Sequence, residues 1–300
     1  MADMDGLKTG NTGAIDDSKD FHVGVPAGKT NFHVKGMDNV DWGMKDRLSR
    51  IFNPKSGNTL MLAFDHGYIM GATTGLERLD IIIPQLAEDI DVFMGTRGGI
   101  RTCVPPTFNK PVALRINAGS TVLSADVNKE VNGVDIEDAI RMNVSCLACQ
   151  SFLGTDEERQ SLKNLSDAIN AGNRYGIPTM GVTAVGKNMV RSPKFFLLAT
   201  RVLAELGAHI IKTYYCEGFE KIVAACPVPI VIAGGKVLPP DQALTMAYHA
   251  ICDGANGVDM GRNIFQADDP KAMAKAVRMI VHEGATDKEA YEFYLDTKKK

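Results

Sequence analysis

Thr59-Leu-Met-Leu-Ala-Phe64 is an unbroken apolar run closed by Asp65-His66-Gly67. Preceded by the turn Lys55-Ser-Gly-Asn58, it reads as a strand buried on both faces, which is how strands of a parallel sheet look. A helical pattern follows through Leu76, Leu79, Ile83 and Leu86, and then a second short strand, Asp91-Val-Phe-Met-Gly95. The alternation continues with Pro111-Val-Ala-Leu-Arg-Ile116, with a helix over 136–142 feeding a strand over 144–152, and with a longer helix over 156–175. Next come Ile177-Pro-Thr-Met-Gly-Val-Thr183, a helix over 193–206, and Ala208-His-Ile-Ile-Lys-Thr-Tyr-Tyr215. A short helix over 219–225 precedes Pro229-Ile-Val-Ile-Ala233; Pro239 opens another helix, and Gly257-Val-Asp-Met-Gly261 and a helix over 270–282 close the series. Eight such strands, mostly separated by helices, predict an α/β fold: a closed (β/α)8 TIM barrel in one domain with an N-terminal extension. No G-x-G-x-x-G stands at the first strand-to-helix turn, which argues against a doubly wound dinucleotide fold.

Outside the rhythm, residues 1–45 are rich in Gly, Asp, Lys, Thr and Asn and read as a partly flexible N-terminal arm. A short helix over 42–51, apolar at Met44, Leu48 and Ile51 and stopped by Asn53-Pro54, leads into a catalytic barrel domain over 46–285. Residues 286–300 form an amphipathic C-terminal helical tail. The net charge of −3 suggests neither a nucleic-acid nor a membrane-surface partner, and no apolar run approaches a membrane span. The polar opening Met1-Ala-Asp-Met-Asp-Gly argues against a secretory signal. Six cysteines without framework spacing fit a reducing cytoplasm.

Barrel enzymes work at the C-terminal ends of their strands. Those ends are Asp65-His66, Thr96-Arg97, Arg115, Thr183, Lys212, Gly234-Gly235 and Gly261-Arg262. Lys212 shares a strand face with Ile210 and Tyr214. Facing into a barrel, its amine would be partly dehydrated, which disfavours the ammonium and leaves a nucleophile suited to a Schiff base; a lysine snorkelling to solvent is the alternative. Gly234 and Gly235 after the seventh strand, with Gly261 and Arg262 after the eighth, occupy the usual phosphate site of such barrels, unless the glycines serve only tight turns. Asp65 and His66 suit proton transfer beside a lysine adduct, although alternation lets both point inward only if the strand has already ended. Alternatively, Asp65 caps the next turn. Cys146-Leu-Ala-Cys149 falls within a strand, so its thiols face opposite sides; with no histidine at ligand spacing, metal chemistry is disfavoured. Lys187, Arg191 and Lys194 after the fifth strand could meet phosphates but read more simply as a solvated charged face.

Leu62-Ala-Phe-Asp-His-Gly67, Ile210-Ile-Lys-Thr213, Val231-Ile-Ala-Gly-Gly235 and Gly257-Val-Asp-Met-Gly-Arg-Asn263 resemble the archaeal-type class I aldolases of the DeoC/FbaB family over residues 45–283. The resemblance implies that Lys212 forms the Schiff base, that Asp65 and His66 are the strand-one pair, and that Gly234, Gly235, Gly261 and Arg262 hold phosphate. One departure stands out: the acid/base tyrosine of the fructose-bisphosphate aldolases falls on Ala184. Asp41-Trp-Gly-Met44, Arg47-Leu-Ser-Arg-Ile-Phe-Asn-Pro54, Phe64-Asp-His-Gly-Tyr68 and Thr73-Thr-Gly-Leu-Glu-Arg78 look like the branch of 3-hydroxy-5-phosphonooxypentane-2,4-dione thiolases in autoinducer-2 degradation. That likeness implies an acyltransferase that cleaves the phosphorylated dione with coenzyme A as co-substrate, with no bound cofactor and no metal. It also implies a ring-like homo-oligomer, such as a decamer. The alternative is a class I aldolase acting on a phosphorylated ketose.

Overall fold

The computed structural model describes residues 20–28, 32–124, 126–186 and 190–298. Ten strands are present: β1 Thr59–Ala63, β2 Val92–Thr96, β3 Val112–Arg115, β4 Asn117–Gly119, β5 Glu130–Asn132, β6 Cys146–Phe152, β7 Thr179–Ala184, β8 Ile210–Tyr214, β9 Ile230–Ala233 and β10 Gly257–Met260. Eight of them close a parallel barrel in the order β1-β10-β9-β8-β7-β6-β3-β2. The register runs Leu62 beside Met260 on one side of β1 and Leu62 beside Phe93 on the other. Every residue of β1 and β10 is buried, as expected for strands with side chains packed inside the barrel and helices outside.

All eight strands expected from the sequence are found. The additional pair, β4 and β5, makes an antiparallel hairpin inserted after β3, with Asn117 opposite Asn132. Its strands are three residues each and polar, Asn-Ala-Gly and Glu-Val-Asn, so they carry no periodic signal. The helices stop and start where their caps dictate. Asp41 accepts from the Met44 amide at 2.8 Å to begin the helix Trp42–Ile51, Ser192 and Pro193 open Pro193–Glu205, and the long helix Glu158–Tyr175 ends on Gly176 at φ +65°.

Contacts divide the chain into Met1–Asn31 and Phe32–Lys300. In the first unit, the Val25 amide donates to the His22 carbonyl at 3.0 Å in a turn. The flexible arm expected there falls mostly on residues outside the described ones. In the second unit, Val34 and Met37 belong to the hydrophobic core, so residues 32–45 pack with the barrel instead of extending the arm. At the other end the helix Asp287–Lys298 buries Ala290 and Tyr294 and packs on the helices Pro240–Cys252 and Pro270–Glu283. Among the described residues no helix is long and apolar enough to cross a membrane.

Candidate active site

The strand ends open on a cavity of about 250 Å3 lined by Asp65, His66, Arg115, Thr183, Lys212, Gly234, Gly235, Gly261 and Arg262. Thr96 and Arg97 do not line it. Thr96 caps the helix Arg97–Cys103 by accepting from the Gly99 amide, and Arg97 turns away to Asp138 at 3.1 Å.

Lys212 sits at mid-β8 with its side chain in the barrel and is 8% exposed, so it does not snorkel. Its Nζ lies 3.2 Å from Met94 Sδ and 2.8 Å from Asp259 Oδ2. Asp259 reaches in from β10, across the intervening β9, and its side chain has no exposed surface. The approach of amine to carboxylate is oblique, and neither Asp259 oxygen accepts a well-directed hydrogen bond from a described residue. Burial pushes the Asp259 carboxyl above its ordinary value against the opposing pull of Lys212.

β1 ends at Ala63, two residues before Asp65. Asp65 and His66 therefore lie in the turn that opens the short helix Gly67–Met70, where strand alternation no longer applies, and both border the cavity. His66 Nδ1 is 3.9 Å from Asp65 Oδ1, and the ring meets Phe265 edge-on at 5.7 Å. Burial lowers the His66 pKa from its ordinary value; Asp65 opposes this, and the cations Lys212, Arg262 and Arg115 reinforce it.

Arg115 ends β3 and organises one wall. Its Nη1 donates to Asp65 Oδ2 at 2.8 Å and its Nη2 to Glu130 Oε1 at 2.6 Å. The Tyr68 hydroxyl donates to the same Glu130 oxygen at 2.7 Å, and the guanidinium lies 4.5 Å from the Tyr68 ring centroid. Burial would raise the Asp65 carboxyl, but Arg115, helped by Lys212 and His66, outweighs it and holds the pKa down to about 2. Tyr68 is pushed up to about 12 by burial and by its bond to Glu130.

Opposite that wall is the rim expected to hold phosphate. Gly235 sits at φ +67°, a conformation that favours glycine. Arg262 Nη2 donates to the Gly235 carbonyl at 2.6 Å, and Asn263 Nδ2 to the Gly234 carbonyl at 2.8 Å, so the two loops are tied together. Arg262 Nε is buried with no protein partner among the described residues. Gly261 answers to a different constraint: a Cβ there would stand 2.2 Å from the Ala63 carbonyl oxygen and 2.8 Å from His66 Cε1. Arg191 stacks 4.0 Å from the Tyr214 ring centroid, Lys194 is exposed, and Lys187 lies outside the described residues.

Cys146 and Cys149 are free and buried, and burial pushes both thiols up to about 12. Sequence reasoning passed over Asp259, Glu130 and the tie made by Asn263. Asp259 was detectable: an acid inside the apolar strand Gly257–Met260 is as anomalous as a lysine inside β8. Glu130 lies in a polar connection and carried no such signal.

Fold and cavity together define an enzyme of the (β/α)8 class, with an amine on the floor and an arginine among glycine loops at the rim. The chain belongs to the DeoC/LacD family of aldolases, whose model matches residues 59–267. It is 54% identical over 299 residues to the 3-hydroxy-5-phosphonooxypentane-2,4-dione thiolase of Escherichia coli (strain K12), covering 99% of this chain and 100% of that one. An uncharacterized aldolase of Pasteurella multocida (strain Pm70) is also 54% identical, with the same coverage. Among solved structures, an archaeal fructose 1,6-bisphosphate aldolase superposes with a TM-score of 0.73 at 25% identity, over 80% of this chain and 100% of that one.

Proposed function

We propose that this protein is a thiolase that uses a lysine Schiff base to cleave 3-hydroxy-5-phosphonooxypentane-2,4-dione with coenzyme A, giving dihydroxyacetone phosphate and acetyl-CoA. The observation that carries this reading is the placement of Lys212 on the cavity floor, facing Gly234, Gly235, Gly261 and Arg262 at the rim. Whole-length identity of 54% to a thiolase of that substrate supports it. A phosphate held at the rim puts the adjacent ketone next to Lys212, whose amine condenses with it to an imine. The thiol of coenzyme A adds to the distal acetyl carbonyl. The carbon–carbon bond between that carbonyl and the hydroxymethine carbon breaks, and its electron pair becomes the enamine on Lys212. Protonation of the enamine carbon and hydrolysis of the imine release dihydroxyacetone phosphate. Of the strand-one pair, His66 moves the proton: neutral at rest, it takes the one the thiol loses and gives it to the enamine carbon, whereas Arg115 holds Asp65 as a carboxylate.

In this reading coenzyme A is a co-substrate and no metal takes part. The enzyme acts in the cytoplasm in autoinducer-2 degradation, and all six cysteines being free accords with a reducing compartment. It works as a ring-like homo-oligomer; Trp42, 80% exposed, is a side chain that assembly would cover.

The second reading, a class I aldolase needing no coenzyme A, draws on the archaeal aldolase likeness. Incubating the phosphorylated dione with enzyme, with and without coenzyme A, separates the two. Acetyl-CoA formed when coenzyme A is present is the expected result; no thioester from a dione that still binds would count for the aldolase.

A further inference from the structure

Lys212 has one titratable neighbour within hydrogen-bond distance among the described residues, and no step above employs it. Asp259 Oδ2 is 2.8 Å from Nζ, its side chain is wholly buried, and both its oxygens lack a well-directed donor. A buried carboxylate whose one close partner is an obliquely placed amine costs free energy that a merely structural role does not explain, since the strand pairing of β10 is made by its backbone. The other cavity carboxylate is committed elsewhere: Asp65 is bonded to Arg115. His66 stands beside Asp65, with Nδ1 unbonded.

We propose that Asp259 is a catalytic residue that carries protons to and from the Lys212 nitrogen while the imine forms and hydrolyses. The proposal rests on the lysine reading above and adds a group to it. Imine formation needs four proton movements, and one carboxyl in contact with Nζ can make them all. Asp259 first takes a proton from the ammonium, freeing the amine. As the N–C bond forms, the carbonyl π pair moves to oxygen, which takes that proton from Asp259. Asp259 then removes a second proton from nitrogen, giving the neutral carbinolamine, and returns it to the hydroxyl. Water leaves as the nitrogen lone pair forms the C=N bond. The sum is ammonium plus ketone giving iminium plus water, with Asp259 restored as a carboxylate against the iminium. Burial, by pushing the Asp259 carboxyl upward, brings proton affinity closer to what such shuttling requires.

The test measures trapping of the Lys212 imine with dihydroxyacetone phosphate, using cyanoborohydride in excess so that imine formation limits the rate and mass spectrometry reads the adduct. Asp259→Asn keeps the shape and removes the proton carrier; Asp259→Ala leaves room for an added carboxylate, and circular dichroism fixes the folded fraction of each. The expected result is a trapping rate at least about 100-fold below wild type in both variants, the lower end of what general acid–base catalysis contributes, with formate restoring the rate in Asp259→Ala. A wild-type rate in Asp259→Asn, or a slow Asp259→Ala that formate leaves unchanged, overturns the proposal while leaving the lysine reading intact. No adduct in the wild type overturns both.

Discussion

Arg115 grips Asp65 through a 2.8 Å bond while its other amino group binds Glu130 at 2.6 Å, so one guanidinium bonds two carboxyl groups brought from different parts of the chain. The three side chains are buried, which makes each dependent on the others. Asp65 is therefore fixed in both geometry and charge. That wall of the cavity is built before any substrate arrives.

The grip has a pH signature. Asp65 has a folded pKa of about 2, depressed from 3.8, so its contribution to stability is complete above the unfolded value and disappears as pH falls through the folded one. The window is pH 4 to 2, and the contribution is about 2 kcal/mol. Urea unfolding of wild type and Asp65→Asn across that window should show a variant weaker near neutrality but with a shallower acid slope. Parallel slopes would show that Asp65 is not the linked group.

His66 should be neutral in the working enzyme. Its pKa is lowered by burial, so the ring gains its proton only below the ordinary 6.5, and the stability it contributes is present above that value and is lost on acidification. Following the His66 ring signal by NMR, with His66→Gln to assign it, should give a midpoint below 6.5. A midpoint at or above that value contradicts the burial argument.

Arg262 serves the rim twice, by bonding the Gly235 carbonyl and by presenting its unbonded Nε. If Arg262 holds the phosphate as proposed, replacing it with alanine removes a charge-assisted contact, so KM for the phosphorylated dione should rise on the order of 10- to 100-fold. An analogue lacking the phosphate should be turned over equally poorly by both proteins. Steady-state kinetics on the two substrates checks this, and a KM unchanged for the phosphorylated one rules out a phosphate role for Arg262.

Ser56, His282 and Asp91 line up as a hydrolase triad would, with Ser56 Oγ 2.8 Å from His282 Nδ1 and His282 Nε2 2.7 Å from Asp91 Oδ2. They lie at the opposite end of the barrel, where Asp91 also accepts from the Leu60 amide at 2.7 Å and faces Arg278 at 3.3 Å. Barrel enzymes keep their chemistry at the other face, so this cluster is a clamp between the helix Pro270–Glu283 and the strand starts. Ser56→Ala should keep full turnover and His282→Ala should lose about 1–3 kcal/mol of stability with its kinetics intact, as measured by thermal melts beside the activity assay. Labelling of Ser56 by a fluorophosphonate would argue for chemistry there.

Much of the barrel was legible because a parallel strand buried on both faces is apolar through its interior, as β9 is and as β1 is beyond Thr59. Lys212 stood out for the same reason, as an ion in a segment with no room for one. The β4–β5 hairpin was not legible, since three-residue polar strands owe their existence to the surface they cover. With it went Glu130, whose role depends on an arginine 15 positions earlier in the chain. The placement of Asp65 and His66 turned on where β1 stops, and a boundary two residues earlier let both face the cavity.

The sequence by itself determined the eight-strand rhythm, the strand ends and the buried lysine, because all of these follow from local periodicity and from the cost of burying charge. Tertiary structure alone decided which charges meet. Lys212 finds Asp259 across β9, and Asp65 finds Arg115 from a strand 50 residues on, because barrel closure aims side chains from distant strands into one interior. Charge in a buried site is a property of pairs, and the pairs are made by the fold.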